Sequence, residues 1–202
     1  MKPDTIAIAL AGTVFGLVAG WVIGAQYTAT RAVPVAAAAA PASQTAQTPQ
    51  TRPEPPPLDE AQAQRLRADA DANPRSPAPR IALANLYFDS ERYSDAVTWY
   101  EQALQLDAAN ADVSTDLGVS YYYLNQPDRA LQQFQHSLEV DPKHTKTILN
   151  MGIVRAFGKQ DLAGAVEAWE QVIEIAPDSP EGRAAQQALK NVRAAHPDGA
   201  TQ

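Results

Sequence analysis

Small residues return along this chain at a fixed interval. Ala96 and Ala130 stand 34 residues apart, and Ala165 follows 35 later. Pro74, Ala108 and Pro142 keep the same 34-residue step, and Pro177 again follows after 35. A period near 34 specifies a stack of helical hairpins, in which each unit buries its apolar face only against its neighbours. It argues against a pocket built for one reaction and for a surface built to hold another protein.

The beat occupies only part of the 202 residues. Thr5 to Thr30 contains no charged residue, and residues 31–57 are mostly Ala, Pro, Thr and Gln. From Leu58 onward charged and apolar residues alternate at helical spacing, so the folded core belongs there. Four segments follow: an anchor over 1–27, a linker over 28–57, a helical domain over 58–195 and a tail over 196–202.

Ile6 to Ala25 is a run of 20 apolar and small residues. As a helix it is about 30 Å long, the hydrocarbon thickness of a bilayer. Trp21 and Tyr27 stand toward its end, where aromatic rings favour the headgroup zone. A cleaved secretory signal is the rival reading. Its apolar region is shorter, about 7–15 residues, and its leader more basic than Met-Lys-Pro-Asp, so length and flank favour an uncleaved anchor. Lys2 on one side and Arg31 on the other leave the positive-inside rule nearly tied. A short leader acting as signal anchor puts the N-terminus in the cytoplasm. In a bacterium the protein would be a single-pass inner-membrane protein with its helical domain in the periplasm.

Gly12, Gly16, Gly20 and Gly24 recur every four residues and form a ribbon along one face of that helix. Such a ribbon lets two backbones approach, giving either a homo-oligomer or docking on a partner's helix. The alternative is that glycine is simply common in membrane helices. In the linker, Pro34, Pro41, Pro49, Pro53 and Pro55 to Pro57 favour extended polyproline II, a semi-rigid tether.

Composition closes several routes. From Leu58 on there are 21 Asp and Glu against 13 Lys and Arg, so nucleic acid is not expected as a partner. With no cysteine, disulfides, thiol catalysis and cysteine–zinc sites are excluded. His136 falls on an exposed face of a second helix, His144 in a connecting loop and His196 in the tail. No catalytic set, metal spacing or phosphate loop appears, so neither enzyme activity nor a cofactor is expected.

The units align residue by residue. The first has Arg80, Leu83-Ala84, Tyr87, Ala96, Tyr100 and Ala103-Leu104. The second has Leu117-Gly118, Tyr121, Ala130, Phe134, Ser137-Leu138 and a closing Pro142. The third has Met151-Gly152, Ala165, Trp169, Val172-Ile173 and Pro177. Small residues mark where two helices cross closely, large ones fill the space beside them, and proline stops the second helix. This order resembles the tetratricopeptide repeat family over about residues 77–179. Arg155 departs from the usual aromatic, Ala108 from the closing proline, and the third unit carries one extra residue around Gly158 to Asp161.

The resemblance implies an all-α, right-handed solenoid of helical hairpins behind the transmembrane helix. It would hold three repeats (about 77–110, 111–144 and 145–179), a half-repeat helix over 58–74 anchored by Leu66, and a capping helix over 179–195 started by Ser179 and Pro180. It also implies a concave groove lined by each unit's first helix: Asn85, Phe88 and Asp89; then Asp112, Thr115, Val119, Tyr122 and Tyr123; then Lys146, Leu149, Asn150, Ile153 and Phe157. Tyr121 takes the core position, which leaves Tyr122 and Tyr123 to face outward as the leading binding candidates, unless they pack on a neighbouring unit or loop.

One subgroup of the family grips a terminal carboxylate with basic residues and asparagines. Asn85 and Lys146 match that pattern. Ile81, Asp116 and Asn150 do not, and Asp112 with Asp116 would repel an acidic tail. A basic or apolar ligand suits the groove better. The expected role is recruitment of a protein or peptide partner. The layout also resembles the membrane-anchored repeat proteins of bacterial c-type cytochrome maturation, which present apocytochrome. A self-assembling structural membrane protein is the other alternative.

Overall fold

The computed structural model describes residues 54–195. The candidate span, its glycines Gly12, Gly16, Gly20 and Gly24, most of the linker and the tail lie outside the described residues. Among those described, no helix is long and apolar enough to cross a membrane.

Eight α-helices and no strand make up the described part: α1 (Glu60–Ala72), α2 (Ala78–Asp89), α3 (Tyr93–Leu106), α4 (Ala111–Tyr123), α5 (Pro127–Val140), α6 (Thr145–Ile153), α7 (Leu162–Ile175) and α8 (Pro180–Ala195). Three antiparallel pairs, α2/α3, α4/α5 and α6/α7, pack in sequence order between α1 and α8. Local chemistry sets the starts. The carboxylates of Asp59 and Asp161 accept from the N–H of Gln62 and Gly164, both at 2.9 Å, and Asn110 Oδ1 accepts from Val113 N–H at 3.1 Å. Ser179 Oγ accepts from Gly182 N–H at 2.9 Å, with Pro180 opening α8. The stops obey the period. Pro74, Ala108, Pro142 and Pro177 each stand two residues past a helix end.

Inside a pair, the helices cross where a side chain is missing. Ala84, Ala96, Ala130 and Ala165 are fully buried. A Cβ on Gly118 would stand 2.6 Å from Phe134 Cδ1, and one on Gly152 would stand 2.7 Å from Trp169 Cδ1. Phe134 and Trp169 are completely enclosed there, and the indole N–H donates to the Leu149 carbonyl at 3.3 Å. Tyr121 ties three helices. Its hydroxyl donates to Glu101 of α3 at 2.5 Å and accepts from Arg129 of α5 at 2.6 Å. Burial and the Glu101 contact push its pKa up to about 12.

Two expectations change. Leu66 is only partly buried, and α1 is seated instead by Ala63 and Ala70. The Arg67 guanidinium reaches the Tyr87 hydroxyl, which adds a polar tie between α1 and α2. The extra residue of the third unit does not lengthen a loop. It widens the last turn of α6 into a π turn over Val154–Gly158. In the first two pairs a residue at positive φ, Glu91 or Asn125, ends the helix, and the next N–H (Arg92, Gln126) bonds back five residues to Tyr87 or Tyr121. In the third, Gln160 takes the positive φ and Asp161 N–H bonds back six residues to Arg155, at 2.8 Å. The same cap is kept and the surplus residue is stored one turn earlier.

Candidate functional site

The row α2, α4, α6 carries the candidate residues, and it divides into a buried seam and an open rim. Between α4 and α6 the side chains are short and polar. Thr115 Oγ1 lies 2.5 Å from Thr147 Oγ1, and Ser137 Oγ lies 2.8 Å from Thr147 and 3.1 Å from Thr115. Thr115 and Ser137 both donate to the Ala111 carbonyl, at 2.7 and 2.9 Å. His144 Nδ1 is 2.6 Å from Thr147 Oγ1, while its Nε2 faces Asp112 Oδ1 at 3.3 Å. All three hydroxyl residues are fully buried, and the cluster fastens the second pair to the third.

Thr115 is therefore not a groove residue. Val119, Leu149, Asn150 and Ile153 are buried as well, because α4 and α6 approach closely enough to cover them. The Asn150 amide is used within its own helix, donating to the Lys146 carbonyl at 2.9 Å. Asn85 is turned toward α3, where it accepts from the Tyr100 hydroxyl at 2.6 Å. Lys146 is engaged too. Its Nζ lies 2.7 Å from Asp116 Oδ1, a pair that is about four-fifths buried on both sides.

What stays accessible lies at the C-terminal ends of the first helices. Tyr123 stacks on Tyr93 with ring centres 4.5 Å apart and planes 7° from parallel. Phe88 packs edge-on to both, at 5.3 Å from Tyr93 and 5.8 Å from Tyr123. Tyr123 therefore packs on the preceding pair instead of standing free, and all three rings are partly exposed. Tyr122 lies 6.1 Å from Tyr123 at a tilt. It is half-buried, since its ring comes within 3.3 Å of where a Gly158 Cβ would stand, and burial raises its hydroxyl pKa far above the usual value. Phe157, at the end of the π turn, is 37% exposed.

Three carboxylates lie along the row of first helices. Asp89, the last residue of α2, is exposed, and among the described residues no cation pairs with it. Partial burial, then the charge of Asp116, raise its pKa above 3.8. Burial also raises Asp116, against the opposing pull of Lys146. Asp112 is open, with its side chain 70% exposed. No cluster able to hold a metal ion occurs among the described residues.

Sequence reasoning missed Tyr93 and the hydroxyl cluster. The cluster did leave one signal: Ser137 stands where the first unit has Ala103 and the third Val172, all facing the core. A hydroxyl at such a place needs a buried partner.

A family model described as TPR repeat matches residues 84–125, and one described as tetratricopeptide repeat matches 111–144. Over 50% of its length the chain is 32% identical to the heat-shock protein cognate co-chaperone sgt12 of Aspergillus fumigatus, of which it spans 28%. The chain spans less than a third of the length of the first curated relatives it matches. Among solved structures it is similar to the Yersinia enterocolitica type III secretion translocator chaperone SycD, with TM-score 0.55 and 20% identity, over 60% of this chain and 96% of that one. It is also similar to the second TPR domain of human RPAP3 in complex with the HSP70 peptide SGPTIEEVD, with TM-score 0.50 and 18% identity, over 57% and 98%. Repeat models and helical-hairpin fold agree that residues 84–144 carry tetratricopeptide repeats.

Proposed function

We propose that the chain is a scaffold that binds and recruits another protein or peptide through the rim of the α2/α4/α6 row. The observation that carries this is the partly exposed ring cluster of Phe88, Tyr93 and Tyr123, with Asp89, next to Phe88 in sequence, making no ion pair among the described residues. Aromatic side chains that form a patch at a surface, next to a charge with no partner, are the pattern of a binding face. A terminal acidic tail like that of the HSP70 peptide bound to RPAP3 is a poor occupant here. Asp89, Asp112 and Asp116 oppose it, and Lys146 is already held by Asp116.

The sequence supports a further layer of the proposal. Ile6 to Ala25 anchors the chain in a bacterial inner membrane, the proline-rich segment spaces the repeats from it, and recruitment takes place in the periplasm. The Gly12, Gly16, Gly20, Gly24 spacing supports a second reading, self-assembly within the membrane. An unchanged size in detergent for Gly16→Leu/Gly20→Leu would remove that reading.

The test of recruitment is co-purification. The full chain is isolated from its own cells beside a Phe88→Ala/Tyr123→Ala variant shown by circular dichroism to retain its helices. The expected result is a partner held by the unaltered chain and lost from the variant. The same proteins with both would overturn the proposal.

A further inference from the structure

Three features place negative potential at one spot on the rim. Asp89 is a carboxylate at the C-terminal end of α2, where the helix dipole is itself negative and where the last turn carries no basic residue. Asp116 lies close enough to act on it electrostatically. Lys146 is held by Asp116 at 2.7 Å, and among the described residues Asp89 has no ion pair. A residue that opposes its own helix dipole and gains no ion pair costs the fold stability, and such local conflicts mark functional positions.

Apolar surface is presented from the same last turn of α2. Phe88 is the neighbouring residue of α2, and its ring joins Tyr93 and Tyr123 in one cluster. The stacked pair makes a flat, rigid wall, suited to a proline ring, an aromatic ring or a guanidinium plane. Because α2, the start of α3 and the end of α4 all contribute, the wall is fixed by the packing of two repeats and needs little ordering on binding.

We infer that this rim selects a partner segment in which a lysine or arginine stands beside a proline or aromatic residue, the cation meeting Asp89 and the neighbouring side chain lying on Phe88, Tyr93 and Tyr123. This rests on the recruitment reading and names its ligand class. Charge complementarity decides the occupant, since neither an acidic nor a neutral segment relieves Asp89. The seated Asp116–Lys146 pair already shows on this face the contact that the partner would repeat one helix over.

A phage-displayed random peptide library is the probe, panned on the full chain, on Asp89→Asn and on Gln132→Ala, a change on the exposed face of α5. Peptides from the full chain are expected to carry Lys or Arg next to Pro, Phe, Tyr or Trp. Synthetic copies should bind Asp89→Asn about fivefold more weakly and Gln132→Ala unchanged. Both variants should keep the helical content of the parent. If peptides are enriched without a basic residue, or bind Asp89→Asn equally well, the cation inference is wrong while recruitment stands. If no peptide is enriched on any chain, both fail together.

Discussion

Gly152→Ala tests the packing rule on which the whole array depends. The new Cβ would stand 2.7 Å from Trp169 Cδ1 and 2.9 Å from Cε2. Ordinary carbon contacts are about 3.5–4.0 Å, so the indole must move by about 1 Å. It has nowhere to go. Trp169 is 1% exposed, and its N–H is committed to the Leu149 carbonyl. Overpacking of this kind costs about 1–3 kcal/mol, and the locked ring places this site in the upper half of that range. Replacing a helical glycine with alanine returns about 1 kcal/mol. The net expectation is a loss of about 1–2 kcal/mol. Urea unfolding of the full chain, followed by circular dichroism, measures it as a lower midpoint at unchanged slope. Trp169→Phe supplies the second edge of a mutant cycle. In that background the smaller ring leaves room for the methyl, and Gly152→Ala should be neutral or stabilising by up to about 1 kcal/mol. A neutral Gly152→Ala in the parent, or the same cost in both backgrounds, would refute the argument that this glycine exists to admit Trp169.

Asp89→Asn should weaken ligand binding yet stabilise the fold by about 0.5 kcal/mol at neutral pH, because it removes a carboxylate from the negative end of α2. The raised pKa of Asp89 means that the folded chain holds this proton more tightly than the unfolded one. Its favourable contribution is thus complete below the ordinary 3.8 and is lost as pH rises through the raised value, so the variant's advantage should vanish at the acid end of a pH series of unfolding curves. Thr147→Val keeps the shape but removes the hydroxyl shared by Thr115, Ser137 and His144; a cost of about 1–3 kcal/mol is expected in urea, and a neutral result would contradict the account of the seam. Gln160→Gly should raise the melting temperature through a gain of about 1 kcal/mol, since glycine bears the φ of 58° without strain.

The repeats were legible because their signals are local and periodic. Ala84, Gly118 and Gly152 read as crossing points and are buried as such, and each closing position falls two residues beyond a helix end. The face of the first helices was legible only as a face. Thr115, Val119, Asn150 and Ile153 sit at positions that a more open array would leave accessible. Here the short side chains of Thr115, Ser137 and Thr147 let α4 and α6 close over them, and side-chain identity at three separate places in the chain had to act together to produce that. Whether Tyr123 faces outward or packs on a neighbouring unit stayed open in the sequence because nothing local announces that Tyr93, 30 residues earlier, lies parallel to it. The extra residue of the third unit could be placed only between its helices because spacing cannot distinguish a longer loop from a wider turn. Packing decides between them: a Gly158 Cβ would lie 2.9 Å from Pro127 Cβ, so the π turn is pressed against α5.

The central claim is that the rim of the α2/α4/α6 row, rather than the outer face of the second helices, meets the partner. Photo-crosslinking in intact cells tests it most directly, with a benzophenone amino acid replacing exposed Phe157 in one chain and exposed Gln132 of α5 in another. The account predicts a distinct crosslinked protein from Phe157 that is missing from Gln132 and diminished by Asp89→Asn. The same products from both positions, or only copies of the chain itself, would contradict it.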